Sequence, residues 1–262
     1  MSDLSDFQRV CVQAVRSAGA LLLERMGRVQ VREKGPADLV TEADLASQEM
    51  VRQIVLDAFP GHCCLGEEGP AQAAPRAEYR WIVDPLDGTT NYVHSYPFFC
   101  VSLALERNGQ LLVGAVFNPN SDECFTATLG QGAELNGKPI HTSAVDRISG
   151  AVTMAGLPSR ATPDAPDLKV FNQASMHCQT VRRTGSAALN AAFVAAGRAD
   201  VFWSFSTKPW DIAAGALLIQ EAGGIVSAPT GEPLDVDRGQ MLGAATPALH
   251  REFVALVNGS LS

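Results

Sequence analysis

The chain has 262 residues, of which 46% are hydrophobic and 18% charged, and a formal net charge of −8. That length buries a full core without cross-links, and the composition excludes an intrinsically disordered chain. An acidic balance with no basic stripe excludes broad electrostatic attraction, so neither nucleic acid nor a membrane is expected as a partner.

In chain order, apolar residues at Val10, Ala14, Ala18, Leu21, Leu22 and Met26 predict an amphipathic helix over Asp6–Met26, capped by Ser5 or Asp6. A second helix is predicted over Glu42–Ala58, stopped by Pro60-Gly61. The Ala-, Pro- and Gln-rich stretch Gly69–Glu78 reads as an exposed loop. Strand patterns follow at Arg80–Val83, Phe98–Glu106, Leu111–Asn118 and Glu123–Thr128, the middle pair joined by the hairpin signal Asn108-Gly109. Residues 1–140 are thus expected to set helices on a largely antiparallel sheet.

Beyond Gly137, strands at Gly150–Ala155, Thr180–Arg182, Asp200–Trp203, Gly224–Ser227 and Met241–Ala245 alternate with helices at Asp167–His177, Ser186–Ala196, Asp211–Ala222 and Pro247–Val257. Alternation of this kind predicts that residues 141–262 form an α/β part with a mostly parallel sheet. The fold class is therefore α/β, with an α+β first half. The six cysteines show no C-x-x-C spacing and are read as reduced thiols. The first residues carry no basic stretch, and the apolar run Ala20–Leu23 is too short for a signal core or a span, so a cytoplasmic location is expected.

Chemistry concentrates after the strand Trp81-Ile82-Val83, in Asp84-Pro85-Leu86-Asp87-Gly88-Thr89-Thr90-Asn91. A proline fixes one φ, a glycine permits close approach, and two carboxylates three residues apart supply the hard oxygen ligands that Mg²⁺ prefers. Taken alone, the same residues equally describe a capped turn. Glu67, in Gly66-Glu67-Glu68, could be a surface acid, and Asp211, after Trp210, could be the cap of the following helix. Such a carboxylate cluster repels phosphate until it holds divalent cations.

Together these blocks resemble the inositol monophosphatase superfamily of magnesium-dependent, lithium-sensitive phosphatases, over nearly the whole chain. The resemblance also takes in Asp38-Leu39-Val40-Thr41-Glu42-Ala43-Asp44, Gly130-Gln131-Gly132-Ala133 with Asn136-Gly137, Trp210-Asp211-Ile212-Ala213-Ala214-Gly215, and Glu221-Ala222-Gly223-Gly224. It implies a layered αβαβα sandwich, a homodimer, and two to three Mg²⁺ ions with inhibition by Li⁺. The first ion would be held by Glu67, Asp84 and the Leu86 carbonyl, the second by Asp84, Asp87 and Asp211, and a looser third would share Glu67. The nucleophile would be a metal-activated water, oriented by Thr89 paired with Asp44; with Glu67 these make the catalytic set. The amides of Gly88 and Thr89 would receive phosphate oxygens, while Gly185, Ser186, Ala187 and Ser204, with Asp87 and Asp211, would meet the rest of the substrate.

The resemblance makes a small phosphorylated molecule the substrate, with inositol monophosphate leading. Histidinol phosphate, a sugar bisphosphate or a 3′-phosphonucleotide stays open, because Ser204 stands where members acting on inositol phosphates carry a glutamate. A regulatory binding protein on the same fold is the other alternative. Lys34 lies one residue nearer Asp44 than the family pattern and is left out of the core set. Arg182 and Arg183 read either as surface charges or as subunit contacts.

Overall fold

A computed structural model describes residues 4–28, 31–35, 38–68 and 77–262. Residues 69–76 of the expected loop, and the side chains of Lys34 and Asp38, lie outside the described residues. The helices are α1 (Leu4–Arg25), α2 (Glu42–Ala58), α3 (Thr89–Val93), α4 (Pro166–His177), α5 (Ala187–Ala195), α6 (Pro209–Glu221) and α7 (Pro247–Leu261). Ser5 and Asp6 fall inside the first turn of α1 instead of capping it. Thr41 caps α2 by accepting the Ala43 amide at 3.1 Å.

A short antiparallel pair, β1 (Val31–Gly35) and β2 (Asp38–Thr41), leads into α2. Seven strands then form one sheet in sequence order: β3 (Cys63–Gly66), β4 (Tyr79–Asp87), β5 (Cys100–Arg107), β6 (Gln110–Asn118), β7 (Glu123–Thr128), β8 (Gly132–Leu135) and β9 (Lys138–Ile140). Only β3 and β4 run parallel in it, and Asn108 and Gly109, both at positive φ, turn β5 into β6. The remaining strands are β10 (Val152–Gly156), β11 (Thr180–Arg182), β12 (Val201–Ser204), β13 (Ile225–Ser227) and β14 (Met241–Ala244).

These five form a sheet in the order β11-β10-β12-β14-β13. It is evenly mixed and not mostly parallel: β10 pairs parallel with β11 and β12, whereas β14 is antiparallel to both β12 and β13. The physical reason is the last connection. No α-helix separates β13 from β14, so the chain returns antiparallel and slots between β12 and β13.

Strand alternation sorts side chains into three cores. Trp81, Val83, Leu103 and Leu105 pack with Phe7, Val10, Ala14 and Val51 of α1 and α2. Ile82 and Ala104, on the opposite face, join α5, α6 and Phe202. Val201 and Trp203 meet Val170 of α4 and Phe253 of α7. The layers run α1/α2, seven-stranded sheet, α5/α6, five-stranded sheet, α4/α7, the αβαβα sandwich.

The middle helices are apolar all round, as burial between two sheets requires. Small residues let them approach. A Cβ at Gly215 would come within 2.4 Å of Ala191 Cβ, and one at Gly114 within 3.1 Å of Ala214 Cα. The residue 130–137 and 221–224 blocks prove architectural: Glu221 accepts the amides of Gly130 and Gly132 at 2.8 Å each, tying the end of α6 to the β7–β8 turn.

Candidate metal and active site

Strand geometry would send residues three apart to opposite faces of a sheet, which would separate Asp84 from Asp87. The register explains how they converge. Asp84 pairs with Ser102 and Asp87 with Cys100, so the β4 side holds one extra residue, a bulge at the Pro85-Leu86 step where proline cannot donate. The bulge is held by Ser47, whose hydroxyl donates to Pro85 O at 2.7 Å, and by Asp84 Oδ1, which accepts the Leu86 amide at 3.0 Å. Gly88, at φ 98°, then starts α3.

Asp211 arrives from the other half of the chain, in the first turn of α6, where its Oδ2 accepts the Lys208 amide at 2.7 Å. Among the described residues, Asp84, Asp87 and Asp211 make the one group of three carboxylates whose oxygens lie within 4.8 Å of one another. Burial and the charges of Glu67, Asp87 and Asp211 push the Asp84 carboxyl well above the usual range. Burial and Asp211 push Asp87 up to about 7, against the hydrogen bonds it accepts from Ser186 and the Ala188 and Ala187 amides. Asp211 is raised by burial and moderated by the Lys208 amide. Glu67 is not part of the tight trio, yet its charge acts on Asp84 from beside it.

Buried carboxylates at this spacing repel one another unless protons or cations neutralise them. Hard oxygen donors, strong anionic charge and the Leu86 carbonyl in the same bulge suit Mg²⁺, so the residues present fit that ion.

Thr89 and Asp44 also meet. Thr89 Oγ1 lies 3.2 Å from Asp44 Oδ1 and 3.1 Å from Leu86 O, within donating reach of either. Asp44 is buried and its other oxygen accepts the Thr41 amide at 2.8 Å and hydroxyl at 2.6 Å; burial outweighs these bonds and raises its pKa.

Gly185, Ser186 and Ala187 lie against the loop of residues 84–89. A Cβ on Gly88 would sit 3.3 Å from Gly185 O, and Asn91 Nδ2 donates to Phe98 O at 2.7 Å and Thr184 O at 2.9 Å. Ser204 does not join them: it is fully buried, donates to Gly156 O at 2.8 Å and accepts the Ser206 amide at 3.1 Å. Its hydroxyl ties the end of β12 to the end of β10, so in this structure it is not turned to the carboxylate trio as the substrate-facing expectation had it. The sequence reading passed over Ser47 and Asn91, the second despite its place inside the D-P-L-D-G-T-T-N run.

The inositol monophosphatase family model matches residues 3–262. The chain belongs to that family. The inositol-1-monophosphatase of Mesorhizobium japonicum is 40% identical to it over 97% of this chain and 96% of that one. The Nus factor SuhB of Pseudomonas aeruginosa is also 40% identical, over 90% of each chain. In structure, the extragenic suppressor protein suhB of Bartonella henselae superposes with a TM-score of 0.90 at 36% identity, covering 96% of this chain and 98% of that one.

Proposed function

We propose that this member of the family is a magnesium-dependent phosphatase that hydrolyses a small phosphate monoester, inositol monophosphate being the leading substrate. The observation that carries the reading is the trio Asp84, Asp87 and Asp211, buried or half-buried with oxygens within 4.8 Å of one another, whose mutual repulsion bound cations would relieve. Glu67, Asp84 and the Leu86 carbonyl would hold one Mg²⁺ and Asp84, Asp87 and Asp211 a second, with Li⁺ as a competitor. Magnesium held there supplies Lewis-acid charge to the phosphoryl oxygens and acidifies water.

The chain's own groups do the rest. Thr89, anchored beside Asp44, orients the attacking water through its free lone pairs, and Asp44 accepts the displaced proton; its raised pKa suits that task. The Gly88 and Thr89 amides, at the start of α3, receive phosphate oxygens. Gly185, Ser186 and Ala187 border the alcohol.

At equal identity one relative carries the name inositol-1-monophosphatase and another the name Nus factor SuhB, so the names do not choose between hydrolysis and a binding role. The complete carboxylate set, with Thr89 and Asp44 in contact, favours hydrolysis. A phosphate-release panel with and without Mg²⁺ tests it. Release from at least one monoester, abolished by chelation, is the expected result; no release from any substrate overturns the phosphatase in favour of the binding protein.

One observation favours a second substrate reading. Ser204 brings no carboxylate to the alcohol, whereas Arg183, two residues before Gly185, is exposed and, among the described residues, donates only to Pro158 O at 3.2 Å. Among the described residues it has no carboxylate within ion-pair distance. The loops after β10 and β11 stand at the C-terminal ends of parallel strands, where α/β sheets bind ligands. A free guanidinium there suits a second anionic group, as in a sugar bisphosphate. Comparing kcat/KM for a sugar bisphosphate with that for the matching monophosphate decides between the two readings.

A further inference from the structure

Three side chains of α2 reach toward the site, and two have been described: Asp44 beside Thr89, and Ser47 on the Pro85 carbonyl. The third is Gln48. Its Nε2 donates to Glu68 O at 2.6 Å, and its Oε1 accepts the Glu68 amide at 2.8 Å. One side-chain amide therefore satisfies both polar groups of a single residue, as a neighbouring strand would. Glu68 needs such a partner because β3, and with it the ladder to β4, ends at Gly66.

The residue on the other side of Glu67 is registered on the same side chain. A Cβ at Gly66 would fall 2.1 Å from Gln48 Oε1 and 2.5 Å from its Cδ. Gly66 is not at positive φ, so its backbone tolerates any side chain; the space Gln48 occupies is what requires a glycine. Glu67 thus sits between two residues that both lean on Gln48. Gly66 pairs with Val83 in the parallel β3–β4 ladder, so the chain places Glu67 beside Asp84, and the Glu67 side chain is half-buried.

We infer that Gln48 is a positioning residue for Glu67: by pinning the backbone at Glu68 and filling the space over Gly66, it holds the Glu67 carboxylate toward Asp84. The inference rests on the metal assignment proposed above. Groups one step behind a ligand typically change metal affinity about 10- to 100-fold when removed, because the ligand then pays to be ordered on binding.

The test is Mg²⁺ binding to the folded protein by calorimetry, together with the Mg²⁺ dependence of phosphate release. Gln48→Ala should weaken Mg²⁺ binding and raise the half-saturating concentration about tenfold or more. Gln48→Glu, which keeps the shape but cannot donate to Glu68 O, should do the same. Gly66→Ala should match them, because the added methyl displaces the amide. In the Gln48→Ala background the Gly66→Ala change should add no further loss, since the atoms it collides with are gone.

Wild-type Mg²⁺ affinity in a folded Gln48→Ala protein overturns the inference, as does Gly66→Ala remaining equally damaging in that background. A lowered melting temperature with unchanged Mg²⁺ affinity counts as the same refutation, because it marks a purely structural role. Wild-type protein that neither binds Mg²⁺ nor releases phosphate refutes the underlying metal site, and this inference with it.

Discussion

The Ser186 hydroxyl donates to Asp87 Oδ2 at 2.7 Å, joining residues 99 positions apart and two layers of the fold. The same oxygen of Asp87 accepts the Ala188 amide at 2.7 Å, and Ser186 Oγ in turn accepts the Leu189 amide at 3.3 Å as the cap of α5. One serine therefore closes a helix end and holds a carboxylate at that end's favourable dipole. Ser186→Ala removes both functions at a buried position. It should destabilise the protein by about 2 to 4 kcal/mol, combining a lost cap with a lost hydrogen bond to a charged group. Denaturant melts in saturating Mg²⁺ measure this, and Ser186→Thr should keep most of the stability; a Ser186→Ala midpoint equal to wild type would show that the contact carries no net energy.

Asp84 and Asp211 contribute charge that the fold itself resists. Asp84→Asn and Asp211→Asn should each cut Mg²⁺-dependent turnover by about 10³-fold or more, since the site loses cation charge worth several kcal/mol in the transition state. In chelator the prediction reverses. With the repulsion named for Asp84 relieved, Asp84→Asn should melt at or above the wild-type temperature. A folded variant with near-normal turnover at saturating Mg²⁺ would refute the site.

How much of this was legible beforehand depended on whether the signal was local. Asp84 to Thr89 could be read because Pro85 and Gly88 mark a turn within the motif itself, and Glu42–Ala58 emerges with the predicted bounds because Thr41 and Pro60 bracket it. The convergence of Asp84 with Asp87 depends on a one-residue bulge, and a bulge is a property of two strands together. The mixed sheet escaped for a related reason, since nothing inside β14 says which neighbour it will pair with. Ser204 enters the expected substrate set through the family resemblance alone; its hydroxyl is engaged by Gly156 and Ser206, which the pattern does not mark. Ser47 and Gln48 look like ordinary surface polars on an amphipathic helix until the Pro85 carbonyl and the Glu68 backbone are packed against them.

Proton linkage makes a prediction for the metal-free protein. Asp87 is raised to about 7 from an unfolded value near the ordinary carboxylate range, so between those values the folded state binds more protons than the unfolded one. The sign follows: this carboxyl stabilises the fold at low pH, and that contribution is lost as pH rises through about 7. Cations replace the protons, so the gain in melting temperature on adding Mg²⁺ should be larger at about pH 8 than at about pH 5.5, and binding should release protons. Calorimetry in two buffers of different ionisation enthalpy counts those protons. A Mg²⁺ effect independent of pH would mean that the carboxylates are already ionised without metal.

A titration of the opposite sign is built in at the other end of β4. His62 lies between Tyr79, with ring centroids 4.5 Å apart and 6° between planes, and Phe59, at 4.9 Å and 14°. Its Nδ1 accepts the Trp81 indole N–H at 3.1 Å, which requires the neutral ring with its proton on Nε2. Charging the ring would place a second proton where Trp81 donates and strand a fully buried N–H. Burial lowers the His62 pKa and Glu78 opposes this only in part. The folded value is depressed, so the contribution to stability is complete above the unfolded pKa of about 6.5 and is lost as pH falls through the folded value. His62→Gln keeps an acceptor for Trp81 without titrating. The difference in melting temperature between wild type and His62→Gln, measured in chelator, should therefore shift in favour of the variant as pH falls from about 7 to about 5. Taking the difference cancels the carboxylate term, which is common to both proteins. A constant difference across that range would mean that His62 takes up its proton as readily in the folded protein as in the unfolded chain, so that its surroundings tolerate the charge.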